Sequence, residues 1–378
     1  MIKVVHIITG LDTGGAEMML YKFLSTSDRT KFKSIVISLK DKGTFGSRIE
    51  ELGIPVYIIG MTDGKATITA LWKLSNLIRS ISPDIIQGWM YHGNIAASIS
   101  RLLYYKKVSV IWNIRHSLYA LENEKKQTAL LIRLGAICNK LAEKTIYNSR
   151  KSADQHENLG YAVDRTVVIP NGFDCDKFKP SKTVRKQMRN ILNIKNRDIV
   201  FGLIGRYHPM KDHANFFKAA GRLSKTYSNV IFLLAGRDVD DSNVDLIELI
   251  MRYDLENCVY LLGERNDIYE LNTCLDIACS SSSYGEAFPN VIGEAMSCAV
   301  PCVVTDVGDS AWIVGDTGKV VPPRDADEFA NACDLLIKAG REERKRLGEM
   351  ARKRVIDNFA LDKIVREYEA LYEGKFTS

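Results

Sequence analysis

Two glutamates, Glu286 and Glu294, bracket the otherwise uncharged stretch SYGEAFPNVIGEAMS, and their spacing suggests chemistry. Carboxylates repel phosphate but accept hydrogen bonds from paired sugar hydroxyls, so each could hold a sugar ring. Pro289 favours a helix start nearby, and a helix N-terminus between the two acids could take phosphate groups. The expected helix is otherwise apolar and small, and a buried unpaired acid is costly. The pattern therefore favours a binding role over two ordinary helical acids.

A second loop carries paired cations after a predicted strand. Arg206 and Lys211 stand in GRYHPMK, beside the bend that Pro209 fixes. An arginine offers directional paired hydrogen bonds and a lysine a point charge, a combination that suits a diphosphate. Two solvated surface cations are the alternative, but a position at the carboxyl end of a strand favours ligand binding.

A third loop, TGLDTGGAE, follows the first strand and contains the paired glycines Gly14 and Gly15. Paired glycines let a backbone approach a bulky or anionic ligand at a helix N-terminus. The spacing is neither the dinucleotide pattern G-x-G-x-x-G nor that of a P-loop. A tight turn that needs positive φ explains the glycines equally well, and both interpretations stay open.

Short apolar runs alternate with helical stretches along the chain, which predicts parallel sheets covered on both faces. The predicted strands cover residues 4–9, 34–39, 56–59, 85–88, 108–112, 144–147, 166–169, 200–204, 230–235, 259–262, 277–280, 301–305 and 319–321. The helices predicted for the first half cover residues 16–25, 46–52, 67–80, 94–103 and 127–143, and two more, broken near 357–360, fill 342–372.

The chain has 378 residues, more than one core usually holds, so two domains are expected. Pro170-Asn171-Gly172 marks a turn after a strand and a domain boundary. We therefore predict an α/β protein of two doubly wound, Rossmann-like domains facing across a cleft. The N-terminal domain covers 1–170 and the C-terminal domain 171–358, while a helix in 359–378 packs back on the N-terminal domain.

Composition excludes several classes of protein. The chain is 46% hydrophobic and 26% charged, as globular proteins are, and no apolar run is long enough to span a bilayer. The apolar N-terminus lacks a cationic lead and is expected to be a buried strand and not a signal peptide. Eight cysteines without a C-x-x-C pair argue against zinc and for reduced thiols in a cytoplasmic protein. The net charge of +6 discriminates poorly between anionic partners.

The stretch from Glu286 to Glu294 resembles the E-x7-E motif of family-four retaining glycosyltransferases with the GT-B fold. Other motifs stand in the order expected of that family: Gly14-Gly15, Pro170-Asn171-Gly172, Gly205-Arg206 with Lys211, and Thr305-Asp306-Val307-Gly308. The resemblance extends over nearly the whole chain. The four residues between Arg206 and Lys211 depart from the small or acidic residue of many relatives, but the spacing is kept.

The resemblance implies a role for each motif residue. Glu294 would hold the ribose of a nucleotide sugar and Glu286 the hydroxyls of its donor sugar, while Arg206 and Lys211 would bind the diphosphate. Catalysis would involve Glu286, Arg206, Lys211 and His116. The backbone from Phe288 through Pro289 and Asn290 to Val291 would lie close to sugar and phosphate.

The resemblance also implies roles for residues in other loops. Gly14 and Gly15 would line the phosphates and the acceptor entry. Arg265 and Asn266, in GERND, would pack on the nucleobase. His116, in NIRHS, would lie near the donor sugar, and His92 is a weaker acceptor-side candidate. Tyr119 and the segment 121–126 are interpreted as specific to a subgroup.

The function implied is transfer of a sugar, with retention, from a nucleotide diphosphate sugar, most naturally a UDP-sugar. The acceptor would be a hydroxyl of a saccharide or of a polyprenyl-diphosphate-linked saccharide, in polysaccharide or glycolipid biosynthesis. Neither a metal nor another cofactor is expected, and nucleic acid is not an expected partner. A nucleotide-sugar epimerase of the same fold, a phosphorylase-like enzyme and a catalytically silent sugar-nucleotide-binding protein are the alternatives.

Two basic stretches could contact an anionic membrane that carries a lipid-linked acceptor. One is the helical stripe Lys182, Arg185, Lys186 and Arg189, and the other is the apolar run 129–137 with its flanking lysines. An ordinary solvated face and an ordinary core helix are the favoured explanations.

Overall fold

The computed structural model describes residues 1–61, 67–104, 107–118 and 121–375, which form two compact units. Met1–Gly172 and the C-terminal segment from Leu361 make the first unit, and Phe173–Ala360 makes the second. Both junctions lie two residues beyond the domain limits that the sequence predicts.

A parallel sheet forms the centre of the first unit, in the order β3-β2-β1-β4-β5-β6-β7. Side chains of β1 alternate between two buried clusters, Val5 and Ile7 on one face and Val4 and Ile8 on the other. Helices cover both faces, as near-continuous apolar strands require. The strands are β1 Ile2–Ile8, β2 Phe32–Ser38, β3 Val56–Ile58, β4 Ile85–Trp89, β5 Ser109–Ile114, β6 Lys144–Tyr147 and β7 Thr166–Val168.

The helices that cover this sheet follow the strands in alternation. They are α1 Gly15–Thr26, α2 Gly43–Glu51, α3 Ile68–Ile81, α4 Met90–Leu103, α5 Lys126–Cys138 and α6 Arg150–Glu157, with 3₁₀ turns at Leu121–Asn123, Asn139–Leu141 and Val163–Arg165.

The second unit repeats the architecture with the order β10-β9-β8-β11-β12-β13, again all parallel. Its strands are β8 Ile199–Ile204, β9 Val230–Ala235, β10 Val259–Leu261, β11 Ile277–Ser280, β12 Cys302–Thr305 and β13 Lys319–Val321. Its helices are α7 Lys182–Ile191, α8 His213–Thr226, α9 Val244–Arg252, α10 Ile268–Cys274, α11 Asn290–Ser297, α12 Ser310–Val314, α13 Ala326–Lys338 and α14 Gly340–Phe359, with 3₁₀ turns at Pro209–Lys211 and Gly315–Thr317.

The last helix, α15 (Leu361–Tyr372), belongs to the first unit and packs beside α1. Tyr368 stacks on Trp89 with the ring planes only 8° apart, and its hydroxyl accepts a hydrogen bond of 3.0 Å from the Asn113 amide. The hydroxyl of Tyr372 reaches the side chain of Gln87. The C-terminal helix thus completes the core beside β4 and β5.

The predicted alternation of strands and helices and the two Rossmann-like domains are confirmed, with small shifts at the ends of elements. One clear shift concerns α4, which begins at Met90 and not at residue 94. Met90 takes a left-handed conformation with φ of +61°, so the helix starts directly after β4 without a connecting loop. The predicted helix 127–143 ends at Cys138, and a 3₁₀ turn follows it.

Candidate active site

The strand order of the second unit reverses between β8 and β11, which are hydrogen-bonded neighbours. Connections from these two strands leave in opposite directions, and the crevice outside their carboxyl ends is where open α/β sheets bind ligands. The segments 205–212 and 281–289 leave the sheet at this point and carry both cations and one of the two glutamates predicted from the sequence.

Lys211 and Glu286 meet at this point in an ion pair. The ammonium Nζ of Lys211 lies 2.5 Å from Oε1 of Glu286, and the hydroxyl of Ser282 donates a 2.7 Å hydrogen bond to the same oxygen. Only 18% of the Lys211 side chain and 11% of the Glu286 side chain is exposed. The pair explains how a carboxylate is tolerated at a buried position, because Lys211 neutralises its charge and one of its oxygens accepts two hydrogen bonds.

Hydrogen bonds fasten the two loops to each other. The Ser281 hydroxyl donates to the carbonyl oxygen of Lys211 over 2.8 Å, and the backbone amide of Ser283 donates to the carbonyl of Met210 over the same distance. The hydroxyl of Thr305, at the end of β12, donates to the carbonyl of Ser282 over 2.6 Å. The cation and the carboxylate are therefore held by backbone that three adjacent strands support.

Gly308 fixes the loop after β12 against the segment that carries Glu286. Its φ is +59°, and a Cβ atom there would lie 2.4 Å from the carbonyl oxygen of Glu286. The next amide, of Asp309, donates to the carbonyl of Ala287 over 2.9 Å. Only glycine satisfies both the left-handed backbone and the close approach.

Arg206 is exposed beside this pair, at the end of β8. Its charge and that of Lys211 lower the pKa of His208, although burial of the imidazole is the larger cause. The His208 Nδ1 accepts a hydrogen bond of 3.2 Å from the amide of Met210, which shapes the turn between the two cations. The arrangement presents an exposed guanidinium and a partly exposed ammonium at one edge of the sheet.

Glu294 lies half-buried on α11, the helix that the E-x7-E stretch enters. The helix begins at Asn290, one residue after the predicted start, and no side-chain hydrogen bond caps it. The amides of a first helical turn have no intrahelical acceptor, so this end can receive an anion.

Aromatic packing holds α11 in place. A Cβ atom on Gly293 would lie 2.1 Å from the ring of Phe173, so this position needs glycine for close packing. The buried ring of Phe288 contacts the rings of Phe173, Trp312 and Phe359. The Phe288 side chain is therefore part of the core, and only its backbone can serve a ligand.

Arg265 and Asn266 lie in the loop after β10. The Arg265 Nε donates to Asp267 over 2.8 Å, and this hydrogen bond is the first cause of a raised Arg265 pKa and a lowered Asp267 pKa. Asn266 is exposed. The aspartate thus fixes the position of the arginine side chain.

His116 follows β5 in the first unit and has two polar neighbours. Its Nε2 lies 3.4 Å from Oε1 of Glu124, and its Nδ1 lies 3.2 Å from the hydroxyl of Tyr91. Burial lowers the His116 pKa and outweighs the opposing effect of Glu124. One third of the side chain is exposed, so this ring can reach a ligand.

The paired glycines end the loop after β1, but the turn explanation is wrong for both. Gly14 has extended backbone with φ of −162°, and Gly15 begins α1; neither has a positive φ. A Cβ atom on Gly15 would meet nothing within 4 Å, so open space lies beside it. His92, on α4, is half-buried and lines an apolar cavity of about 230 Å³ together with Met61 and Ile95.

The structure brings Lys211 and Glu286 together directly, with Arg206 at the same edge and Glu294 on the helix that follows. The residues that hold this pair and His116 were not predicted from the sequence: Ser282, Thr305, Tyr91, Glu124 and His156. The run of serines after β11 was a signal for the first of these. The predicted subgroup residue Tyr119 lies outside the described residues.

The two basic stretches have different outcomes. Arg189 is 3% exposed, and Arg185 and Arg189 both bind Asp276 over 2.6 Å, so the four-residue basic stripe on α7 does not exist as a surface. On α5, in contrast, Leu130 and Ile137 are 67% and 74% exposed. The core-helix explanation is wrong for that face of α5.

All eight cysteines are unpaired thiols. Within the described ranges, no three histidine, cysteine or acidic side chains are grouped so that they could hold a metal ion. The same residues contain no helix with the length and apolarity needed to cross a membrane.

Two family models match successive parts of the chain. The model of Glycosyltransferase Family 4 matches residues 13–177, and the model described as glycosyl transferases group 1 matches residues 184–354. Together they span most of both units and include every predicted site residue. The chain belongs to family 4 of the glycosyltransferases. The resemblance drawn from the sequence motifs is thereby confirmed.

Two relatives of this glycosyltransferase illustrate the range of similarity. The UDP-Gal:alpha-D-GlcNAc-diphosphoundecaprenol alpha-1,3-galactosyltransferase of Escherichia coli is 28% identical over 54% of this chain and 53% of its own length. Glycosyltransferase EpsF of Bacillus subtilis is 22% identical over 80% of this chain and 79% of its own. The match thus spans about half of the first relative and most of the second.

A solved structure confirms the GT-B fold of this glycosyltransferase. Anabaena HepE in complex with UDP is 24% identical, with a TM-score of 0.86 over 99% of this chain and 100% of that chain. HepE has also been solved in complex with UDP-glucose.

Proposed function

We propose that this glycosyltransferase moves a sugar, with retention of configuration, from a UDP-sugar to a hydroxyl of a saccharide or a polyprenyl-diphosphate-linked saccharide. The observation that carries the proposal is the pairing of Lys211 with Glu286 at the switch point between β8 and β11. A cation for phosphate and a carboxylate for sugar hydroxyls adjoin there, as a nucleotide diphosphate sugar requires.

The donor would be held by the loops of the second unit. Lys211 keeps two N–H donors for phosphate oxygens besides the one that Glu286 accepts, and Arg206 adds a guanidinium. Glu294 would take the ribose hydroxyls and the loop with Arg265 and Asn266 the base. The complexes of HepE, which shares the fold, support a uridine nucleotide.

In the proposed reaction the anomeric C–O bond breaks and negative charge develops on the leaving phosphate. Arg206, Lys211 and the start of α11 would stabilise that charge without a metal ion or other cofactor. Preorganised groups of this kind contribute about 3–4 kcal/mol each. Because Glu286 is already paired with a cation, we propose front-face attack, in which the leaving phosphate deprotonates the acceptor hydroxyl, in place of a carboxylate nucleophile.

We also propose that α5 lies against an anionic membrane surface carrying the acceptor. Leu130, Leu134 and Ile137 recur on one helical face and are 67%, 41% and 74% exposed. The exposed cations Lys126, Arg133 and Lys140 accompany them. Apolar residues with cations beside them suit the boundary of an anionic bilayer. The galactosyltransferase of Escherichia coli is named for an acceptor linked to diphosphoundecaprenol, which supports a role in polysaccharide or glycolipid synthesis.

A panel of nucleotide sugars in thermal-shift assays tests the donor site. A donor at a hundred times its dissociation constant should add about 2.7 kcal/mol of stability. Arg206→Ala and Glu294→Ala should each abolish that shift. Arg222→Ala, which removes an arginine paired with Asp327 on the surface of the same unit, is the control and should keep it. An unchanged shift in both site variants would contradict the proposal.

Product analysis separates the transferase from its alternatives. A transferase releases UDP only in the presence of an acceptor, an epimerase interconverts nucleotide sugars without one, and a silent binding protein does neither. Pyridoxal absorbance would identify a phosphorylase-like enzyme.

Vesicle sedimentation tests the membrane proposal. The protein should sediment with phosphatidylglycerol vesicles and less with neutral phosphatidylcholine vesicles, and Leu130→Glu with Ile137→Glu should release it. Ile191→Glu, at an exposed apolar position on α7, should not. Equal binding by the double variant and the control would contradict a role for α5.

A further inference from the structure

A chain of polar side chains runs through the core of the first unit behind His116. The Nδ1 of His156 lies 2.7 Å from the carbonyl oxygen of Ser152, and its Nε2 lies 2.8 Å from the hydroxyl of Tyr91. The same hydroxyl lies 3.2 Å from Nδ1 of His116, whose Nε2 lies 3.4 Å from Glu124. Tyr91 and His156 are 6% and 0% exposed, so water does not replace these bonds.

The backbone carbonyl sets the direction of every hydrogen bond in this chain. A carbonyl can only accept, so Nδ1 of His156 must carry a proton. Burial lowers the His156 pKa to about 4, so the ring is neutral near pH 7 and its Nε2 has a lone pair. The Tyr91 hydroxyl then donates to that lone pair, and its oxygen accepts from Nδ1–H of His116.

We propose that Tyr91 and His156 are positioning residues that hold His116 as the Nδ1–H tautomer, with Nε2 as a hydrogen-bond acceptor for a ligand hydroxyl. The identification of that ligand as a sugar rests on the proposed function; the tautomer does not. The backbone of His116 is fixed as well, since its carbonyl accepts a hydrogen bond of 2.6 Å from the Ser152 hydroxyl.

Glu124 makes the proposed tautomer costly as long as no ligand is bound. In the Nδ1–H tautomer the lone pair of Nε2 faces a carboxylate oxygen 3.4 Å away, so two acceptors oppose each other. A ligand relieves this repulsion when one of its hydroxyls donates to Nε2 and another donates to Glu124. The pair therefore selects a ligand rich in hydroxyl donors and disfavours one that offers only acceptors.

Histidine ¹⁵N NMR of the whole protein tests the proposal directly. The chain has six histidines, so a selectively labelled sample gives few ring signals, and His116→Gln assigns the relevant pair. At mildly alkaline pH we expect a protonated Nδ1 and an unprotonated Nε2 for His116. A protonated Nε2 in the unmodified protein would overturn the proposal without any variant.

Tyr91→Phe should remove the acceptor for Nδ1–H and shift His116 toward the Nε2–H tautomer, with a loss of about tenfold in turnover. Tyr147→Phe is the matched control. Its ring also lies against His156, 5.4 Å away, but its buried hydroxyl has no hydrogen-bond partner among the described residues. The control should change neither tautomer nor turnover.

The outcomes of the two proposals are distinguishable. An Nδ1–H signal that persists in Tyr91→Phe would show that Tyr91 does not position the ring. An Nδ1–H signal in a protein that binds no nucleotide sugar would contradict the proposed donor and leave the tautomer assignment standing.

Discussion

The buried polar side chains of the two units are stabilised in different ways. In the second unit, Lys211 and Glu286 are both charged and neutralise each other across 2.5 Å. In the first unit, Tyr91 and His156 are neutral and satisfy each other through directed hydrogen bonds. A charged pair provides binding energy for an ionic ligand, whereas a series of neutral, hydrogen-bonded side chains fixes the orientation of the group at its end. The difference suggests that the second unit recognises the diphosphate and the first orients a hydroxyl.

The largest effect should follow from Lys211→Ala, which breaks the charged arrangement. The variant loses a phosphate ligand and leaves Glu286, 9% exposed, without its cation. We expect turnover to fall about 10²–10³-fold and the stability of the unit to fall by about 3 kcal/mol. Steady-state kinetics and urea unfolding measure the two quantities.

Lys218→Ala is the control for this variant, because Lys218 is an exposed lysine on α8 of the same unit. It should leave turnover and stability unchanged. Equal losses in the two variants would show that the pair has no special role.

Acidification should destabilise the first unit more than the second, and this difference should be smaller than the effect of Lys211→Ala. Burial lowers the pKa of His6 to about 3 and of His156 to about 4 in the first unit, and of His213 to about 4 in the second. These values lie below the unfolded value of about 6.5, so the unfolded chain gains protons first as the pH falls. Stability is therefore complete above about pH 6.5 and decreases toward pH 4.

At about pH 5 each of these histidines should lower the free energy of unfolding by about 2 kcal/mol. The first unit contains two of them and the second one, so the first should lose more protection from hydrogen exchange. Hydrogen–deuterium exchange of each unit, corrected for the intrinsic rate at each pH, measures the difference. If the second unit lost protection at a higher pH than the first, the buried histidines would not control the acid stability of the two units.

The smallest effect should come from Ser282→Ala, which removes one hydrogen bond from Glu286 and leaves the ion pair. We expect a loss of about 1 kcal/mol in stability and a severalfold weaker donor affinity. Ser283→Ala is the control, since that hydroxyl makes only a 3.5 Å contact with the Pro209 carbonyl. A larger effect at Ser283 would show that the loop, and not the bond to Glu286, matters.

Hydrophobic periodicity predicted the fold well, because buried parallel strands leave nearly continuous apolar runs. β6, β9, β11 and β13 have the predicted limits. The start of α4 was not predictable, because it depends on a left-handed Met90, a conformation that a non-glycine residue adopts only when its surroundings impose it. The exposed face of α5 was not predicted either, because an apolar composition does not tell which side of a helix is buried.

The site shows the same division. Arg206, Lys211, Glu286 and Glu294 could be selected from the sequence because charged residues beside glycine and proline turns are conspicuous. The ion pair itself was not predicted, since its members are 75 positions apart and meet only when β8 and β11 become neighbours. The chain behind His116 is harder still, because a tyrosine and a histidine on two different helices look like ordinary core residues.

A crystal structure of the protein with bound UDP would show whether the pair of Lys211 and Glu286 marks the donor site. We expect the diphosphate within hydrogen-bonding distance of Arg206 and Lys211 and the ribose hydroxyls at Glu294. UDP bound at another surface, with Lys211 and Glu286 still paired and untouched, would contradict it.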